Sequence, residues 1–301
     1  MIELKNEKIS IPVVLLAGLI WSFGKIVVRY MNEPNLVPWQ YIFARGLTIF
    51  LILNLYLFFE EGSNFYKNDF KMGMSGLIGG AGLGIAMVTF MFSITNTSAA
   101  VTLLCLAAMP FFTALLGFLF LKEKISLNVW AAIIIASIGI IIMAFGNTGK
   151  NSLVGLVFGM TSSIGFSVFS VSLRWRRETP KFTTVALAGL FCVILASIFI
   201  ISNKSSFLST SYNGSLFSLH GTLVCIGLIL YSIGSKVIPA AELTLLSLTE
   251  VIGGIFWVWL PLFGINEIPN TNTIIGGFFI FMSIIYYSLT IKTNRRFIAL
   301  N

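Results

Sequence analysis

The sequence predicts an all-α integral membrane protein whose ten transmembrane helices form two inverted five-helix repeats. Three observations support this prediction. Apolar residues far outnumber charged ones, ten apolar runs are long enough to cross a bilayer, and the second half of the chain repeats part of the residue pattern of the first.

The composition excludes an ordinary soluble domain. Hydrophobic residues are 57% of the 301 residues, charged residues are 10%, and the mean hydropathy is +0.95. Soluble domains are about 45–50% apolar and about 25% charged, so lipid is the natural solvent for most of this chain. The net charge of +8 does not indicate nucleic-acid binding, because the charges lie in short groups between apolar runs.

Ten apolar runs of about 20 residues are bounded by charged residues, Pro, Asn or Gly, as transmembrane helices are. These predicted spans are 11–31, 38–58, 73–94, 98–121, 128–145, 152–172, 183–202, 216–235, 241–262 and 273–291. The first contains Lys25 and Arg29 and lacks a small-residue cleavage site after it, so we interpret it as a span rather than a signal peptide.

The basic residues predict the orientation. With the N-terminus inside, 14 of the 19 Lys and Arg residues fall on the cytoplasmic side, three fall outside, and Lys25 and Arg45 lie within spans. Because cytoplasmic loops retain positive charge, both termini are predicted to be cytoplasmic. The chain shows neither a transit-type segment nor a retention tail, so we expect the cytoplasmic (inner) membrane of a bacterium.

An internal duplication appears when the chain is shifted against itself by 141 residues. The aligned pairs are Gly18 with Gly159, Ser22 with Ser163, Gly24 with Gly165, Ala99 with Ala240 and, at an offset of 144, Glu123 with Glu267. Residues 1–147 then form the first repeat and residues 148–301 the second. Five crossings are an odd number, so the second copy enters the membrane from the opposite face, an arrangement typical of secondary transporters.

Six short stretches, three in each half of the chain, indicate a family resemblance. They are Leu19-Ile20-Trp21-Ser22, Phe43-Ala44-Arg45-Gly46 and the run from Thr97 through Pro110 to Lys122-Glu123-Lys124, then Pro239-Ala240-Ala241-Glu242, Thr249-Glu250-Val251 and Gly264 to Glu267. In this order, and over nearly the whole chain, they resemble the EamA-type domains of the drug/metabolite transporter (DMT) superfamily.

The resemblance implies a basket of helices around a central cavity, with spans five and ten at the periphery. Members of the superfamily move amino acids, sugars, nucleotide-sugars and other metabolites, so the resemblance does not fix a substrate. The family commonly has a proline after the glutamate of span nine, where this chain has Val251. This departure argues against a proline kink beside Glu250.

Two charges lie deep within predicted spans, where charge is costly and usually functional. Glu250 lies near the midplane in span nine, and we expect it to bind a substrate amine or a proton, or else to join neighbouring helices. Arg45 lies in span two, where its planar guanidinium suits a carboxylate. The alternative for Arg45 is an ion pair that only holds the fold together.

Four further residues are candidates for the substrate site. Trp21, Ser22 and Lys25 can share a face of span one, with Lys25 offering a cation for an anionic group or extending to lipid headgroups. Trp257 follows Glu250 by seven residues and therefore shares its face of span nine. Together with Arg45 and Glu250, these residues are the predicted substrate-binding set.

Other reactive residue types have simpler interpretations. Cys105, Cys192 and Cys225 lie in apolar runs without metal-ligand spacing and are interpreted as core residues, while His220 is interpreted as an exposed residue near the membrane interface. The glycines of span three are interpreted as sites of tight helix packing. We expect no metal and no cofactor.

The sequence therefore predicts a secondary transporter rather than an enzyme. Its expected partners are a small polar or zwitterionic metabolite, most simply an amino acid, and membrane lipids, but not nucleic acid; proton coupling stays open. The alternatives are sugar-, nucleotide- or drug-like solutes, a membrane-embedded enzyme, or a scaffold. No catalytic triad, metal motif or nucleotide-binding motif supports an enzyme or a primary pump.

Overall fold

The computed structural model describes residues 7–33, 37–62, 72–96, 102, 105–145, 153–176, 179–264 and 271–298. Within these ranges the regular structure is helical and contains no strand. The helices are α1 Glu7–Ser22, α2 Gly24–Tyr30, α3 Pro38–Glu61, α4 Gly73–Asn96, α5 Met109–Leu116, α6 Leu127–Phe145, α7 Leu153–Trp175, α8 Lys181–Ser202, α9 Ser211–Gly234, α10 Ala240–Ser247, α11 Thr249–Trp259 and α12 Thr271–Ile298.

These helices overlap all ten predicted spans, with α1 and α2 sharing the first and α10 and α11 sharing the ninth. Six apolar helical segments of the described chain are long enough to cross a membrane by themselves: Ile9–Tyr30, Pro38–Glu60, Gly73–Asn96, Leu153–Trp175, Lys181–Ser202 and Ser211–Gly234. The chain is therefore a multi-pass membrane protein. The count of ten spans stays a prediction.

Glycine pairs bring long helices into backbone contact at two crossings. Helix α4 packs along α7, where a Cβ atom added to Gly82 would lie 2.9 Å from the Gly165 carbonyl oxygen and one added to Gly165 would lie 2.6 Å from that of Gly82. Helix α3 crosses α8 in the same way at Gly46 and Gly189. Close packing through small residues is the usual cohesive force between helices in lipid, where no water is expelled.

Helices α6 and α12 pack mainly against each other. A Cβ atom on Gly139 of α6 would lie 2.5 Å from the Gly276 carbonyl oxygen of α12. Their contacts with the other described helices are few. This pair lies beside the main bundle, where the family resemblance placed spans five and ten.

Three apolar segments are interrupted. At Phe23, Ala108 and Leu248 the backbone N–H bonds to the carbonyl three residues earlier, which tightens one turn between two helical pieces. The interruption at Leu248 separates α10 from α11 and has no proline within it. The chain therefore turns two residues before Glu250 even though Val251 replaces the family proline.

Candidate functional site

A cavity of about 100 Å³ lies among α1, α3, α4, α5, α7, α9 and α11. Most of its wall is apolar, including Leu83, Met87 and Met109. The ionisable residues of the wall are Arg45, His220 and Glu250, and the large aromatic ones are Trp21, Phe90 and Phe166. The cavity thus combines an apolar lining with a few ionisable side chains, which is typical of small-molecule sites.

Arg45 is the most deeply buried cation in the described chain, with 3% of its surface exposed. Its Nη1 atom donates to the Tyr41 hydroxyl at 3.0 Å, and its Nη2 atom donates to the Met87 carbonyl at 2.7 Å. Its Cζ atom lies 4.9 Å from the centre of the Tyr41 ring. Within the described residues its Nε–H has no hydrogen-bond partner and the guanidinium forms no ion pair.

Tyr41 joins Arg45 to His220. The Tyr41 hydroxyl lies 2.6 Å from His220 Nδ1, and 1% and 6% of the two residues are exposed. The imidazole also packs against α2, where a Cβ atom on Gly24 would lie 2.3 Å from Nε2. The interpretation of His220 as an exposed residue was wrong, because the helix face that carries it turns towards α2 and α3 and away from lipid.

Trp21 forms part of the aromatic wall. Its Nε1 atom donates to the Val224 carbonyl at 3.2 Å, and its ring meets Phe166 edge to face at 5.9 Å. A Cβ atom on Gly227 would lie 2.1 Å from that nitrogen, so only glycine leaves room for the indole against α9. The structure thus places the Trp21 ring on the cavity with its polar atom satisfied.

Glu250 reaches the cavity from the first turn of α11, directly after the interruption at Leu248. The N-terminal turn of a helix stabilises a negative charge through its exposed N–H groups. Glu250 therefore lies where the backbone itself favours a carboxylate.

Ser22 and Trp257 lie outside the cavity wall. The Trp257 Nε1 atom donates to the Ser22 hydroxyl at 2.8 Å, and its ring stacks on Phe23 at 4.5 Å. These contacts tie α11 to the interruption between α1 and α2. The side chain of Lys25 lies outside the described part of the chain. Substrate roles for Ser22, Trp257 and Lys25 remain predictions.

A second polar cluster ties the helices together at the predicted cytoplasmic end. The Arg174 Nε atom donates to Glu123 Oε1 at 2.6 Å, and its Nη1 atom donates to the Ser235 and Ile238 carbonyls at 3.1 and 2.9 Å. Lys181 donates to the Ser235 hydroxyl at 2.8 Å. We call these five residues the Arg174 cluster.

Comparisons with known proteins show similarity to membrane transporters. Residues 8–145 match the EamA-like transporter family. The match covers 138 of the 301 residues and shows that this part of the chain is similar to an EamA-like transporter domain.

Two similar curated proteins are both described as uncharacterized transporters of Helicobacter pylori. The protein of strain J99 is 28% identical over 200 residues, and the match covers 64% of this chain and 64% of the relative. The protein of strain 26695 is 27% identical over 207 residues, covering 67% of each chain. The matched part of the chain thus spans about two thirds of the length of these relatives.

A solved crystal structure has the same fold. Its TM-score is 0.76 at 16% sequence identity, and the superposition covers 95% of this chain and 98% of that one. This likeness shows that the two chains share a fold over nearly their whole lengths.

Proposed function

We propose that the protein is a secondary transporter that carries a small zwitterionic metabolite, most simply an amino acid, across the cytoplasmic membrane by alternating access. The observation that carries this proposal is Arg45, a buried guanidinium on the cavity wall whose Nε–H lacks an acceptor within the described residues. Glu250 on the same cavity supplies the opposite charge. The family and the curated relatives support transport as the activity.

The unpartnered N–H of Arg45 explains why an anion would bind there. A buried donor without an acceptor costs about 1–3 kcal/mol, and a ligand carboxylate recovers that energy while neutralising the cation. Arg45 Nη1 and Nη2 are already held by Tyr41 and Met87, so the guanidinium is pre-positioned before a ligand arrives. Because the guanidinium is already held in place, little conformational entropy is lost in ordering it when the ligand binds.

Glu250 and the aromatic wall complete the recognition of an amino acid. A substrate ammonium pairs with the Glu250 carboxylate, and an apolar side chain packs against Trp21 and Phe166. A zwitterion brings a carboxylate to Arg45 and an ammonium to Glu250, whereas a sugar would leave Arg45 without a charged partner among the described residues.

The pattern of helix contacts supports the proposed inverted repeat. The repeat makes α1 and α2 equivalent to α7, α3 to α8, α4 to α9, α5 to α10 and α11, and α6 to α12. If the two halves are exchanged, the pair α4–α7 becomes α9–α1, and the pair α4–α8 becomes α9–α3; all four pairs are in contact. The pairs α3–α8 and α6–α12, which are also in contact, are unchanged by the exchange. The observed contacts are therefore those expected of two equivalent halves.

Individual contacts support the same register. The Thr249 hydroxyl donates to the Leu15 carbonyl at 3.3 Å, and the Cys105 thiol lies 3.8 Å from the carbonyl oxygen of Leu156, which is 141 residues after Leu15. Thr249 follows Cys105 by 144 residues, which is the offset that pairs Glu123 with Glu267. The helix interruptions at Ala108 and Leu248 are 140 residues apart and therefore lie about one helical turn out of this register. Interrupted helices in both halves are typical of transporter binding sites. The aligned residues Ala99 and Glu267 lie outside the described part of the chain.

Transport by purified protein in liposomes tests the proposal. Vesicles loaded with an unlabelled L-amino acid should accumulate the same labelled compound by counterflow, and a panel of amino acids, organic acids, sugars and nucleosides identifies the class. Arg45→Gln should abolish counterflow, while Arg176→Gln, which changes an exposed arginine outside the cavity wall, should retain it. Counterflow confined to sugars or nucleosides, or flux that survives Arg45→Gln, would contradict the proposal.

A further inference from the structure

We propose that the Arg174 cluster, together with Phe169, Ser170 and Tyr231, which we call the aromatic layer, forms the gate that closes the cavity towards the predicted cytoplasmic side. The proposal rests on the proposed function, because a gate is needed only if one cavity is exposed to each side in turn. It adds which contacts must break for a solute to pass. It is carried by two layers of side chains that follow one another from the cavity wall to the end of the bundle.

Two helices lead from the cavity to the cluster, each along a single face. On α7, Phe166 lies on the cavity wall, and Ser170 and Arg174 follow at intervals of four residues. On α9, Tyr231 follows the wall residue Leu228 by three residues, and the cluster lies one turn beyond it. Residues three or four apart share a face of a helix. The cluster therefore lies about 12 Å beyond the wall along α7, with the aromatic layer between them.

The aromatic layer fills the space between the cavity and the cluster. Tyr231 and Phe169 are fully buried, and their rings stack with centroids 6.2 Å apart. The Tyr231 ring also packs on Phe166 at 5.3 Å and on Trp21 at 5.6 Å, both of which belong to the cavity wall. The hydroxyls of Tyr231 and Ser170 lie 2.6 Å apart and share a hydrogen bond. These contacts join α7 to α9 directly beyond the cavity.

Glu123 joins the two proposed halves of the molecule within the cluster. It is the member of the cluster that comes from the first half, and the other four come from the second. Its Oε1 atom accepts from Arg174 Nε at 2.6 Å, and its Oε2 atom accepts from the Ala240 N–H, at the start of α10, at 3.4 Å. Alternating access moves the halves relative to each other, so contacts that join them at one end must break when that end opens.

The backbone turns sharply to bring Glu123 back to α7. The Lys122 N–H donates to the Gly117 carbonyl and closes a π-helical turn over Gly117–Leu121, and the Glu123 N–H reaches the same carbonyl at 3.2 Å. Lys122 has a φ of 54°, a left-handed conformation that is costly for a residue with a Cβ atom. Turns of the π-helical kind occur frequently at functional sites. The strained turn directs the carboxylate towards Arg174.

The Glu123–Arg174 pair lies where it can separate at low cost. Its side chains are 21% and 23% exposed, so water can hydrate both charges once they part. Breaking a fully buried pair would instead leave two uncompensated charges in a dry interior. A partly exposed pair is therefore suited to a gate that opens and closes repeatedly.

Access to the cavity from each side of the membrane tests the gate. Ser162→Cys places a thiol on the cavity wall, and a small, charged, membrane-impermeant methanethiosulfonate labels it in sealed vesicles of known orientation. Where the predicted cytoplasmic face points outward, adding Glu123→Gln should speed the labelling about fivefold, because loss of the pair favours the open gate. In vesicles of the opposite orientation the rate should stay level or fall. The native cysteines of the described chain are buried, and protein without Ser162→Cys gives their background rate.

Further variants assign the effect to the two layers. Arg174→Gln should speed the labelling at least as much as Glu123→Gln, because Arg174 also donates to two carbonyls. Tyr231→Phe removes only the hydroxyl bonded to Ser170 and should speed the labelling from the same side. Lys124→Gln, which changes an exposed neighbouring charge, is the matched control and should leave the rate unchanged. Size-exclusion profiles identify any variant that fails to fold, and three gate variants guard against the loss of one.

The possible failures have different meanings. Labelling rates that all three gate variants leave unchanged would overturn the gate, even if counterflow identifies a solute. Equal acceleration from both sides would indicate a general loosening of the bundle and would also overturn it. Because the labelling needs no solute, acceleration from the predicted cytoplasmic side alone would support the gate even if no amino acid shows counterflow, a result that would contradict only the proposed substrate.

Discussion

At the scale of single residues, the cavity is organised around one guanidinium. Arg45 donates from Nη1 to Tyr41 and from Nη2 to the Met87 carbonyl, both uncharged, and its Nε–H has no partner among the described residues. A buried arginine held only for stability would normally be matched by a carboxylate. Because the arrangement costs folding energy, it supports the proposed role of Arg45 in binding.

Arg45→Gln should abolish transport without lowering stability. The substitution removes a buried cation that lacks an ion pair in the described chain, so the thermal unfolding temperature should stay level or rise, while counterflow should fall at least tenfold. Arg45→Lys should also lose most transport, because an ammonium cannot reproduce the fork of the guanidinium. Parallel unfolding curves and flux assays check both variants. A large loss of stability in Arg45→Gln would instead indicate a structural role.

At the scale of helices and their pairs, packing depends on glycine at the crossings. Gly165→Ala should destabilise the protein by about 1–3 kcal/mol, because the new methyl group would meet the Gly82 carbonyl oxygen at 2.6 Å and force α4 and α7 apart. Gly277→Ala in α12 is the matched control, since nothing lies within 4 Å of its added Cβ atom. Thermal unfolding in one detergent compares them. Equal unfolding temperatures of the Gly165→Ala and Gly277→Ala variants would show that α4 and α7 can move apart without loss of stability.

Substitutions in the Arg174 cluster, at the end of the bundle, should lower stability less than Gly165→Ala does. Glu123→Gln removes the charge from a pair whose side chains are only 21% and 23% exposed, so a loss of about 1 kcal/mol is expected. Lys124→Gln changes the exposed neighbouring charge and should leave stability unchanged. A double-mutant cycle with Arg174→Gln measures the coupling between the two side chains. A coupling energy near zero would mean that the pair adds nothing to the cluster.

Features of the site that depend on local sequence could be predicted, whereas contacts between residues far apart in the chain could not. Helical spans, deep charges and the positions of Trp21, Arg45 and Glu250 on one cavity follow from hydropathy and the cost of buried charge. The Tyr41–His220 contact joins positions 179 residues apart, and no local pattern marks it. The absence of a side chain at Gly24 was the available signal, because it makes room for the imidazole.

Helical periodicity measured from Trp21 and Glu250 predicts that Ser22 and Trp257 lie on the site, and their substrate roles stay predictions. Periodicity assumes an uninterrupted helix, but the first span breaks at Phe23, directly after Ser22, and Trp257 lies near the end of the short helix α11. Their hydrogen bond therefore forms between the helices and outside the cavity wall.

At the scale of the whole molecule, the distribution of basic residues predicts the orientation. A fluorescent protein fused to the C-terminus should fluoresce in bacteria, and alkaline phosphatase fused there should be inactive, because both termini are expected in the cytoplasm. Fusions after Lys150, in the predicted outer loop between spans five and six, should give the opposite pair of results. An active phosphatase at the C-terminus would reverse the topology or remove a span.

The contacts of Arg45 have a consequence for how the two halves communicate. Its Nη2 atom is bonded to the backbone of α4, and its Nη1 atom reaches α9 through Tyr41 and His220. Helices α4 and α9 are the ones that the proposed duplication makes equivalent. A solute that draws the guanidinium towards itself would therefore pull on both copies of the same helix at once. The two halves could then move together without a chain of contacts across the bundle, because the bound solute acts on α4 and α9 directly through Arg45.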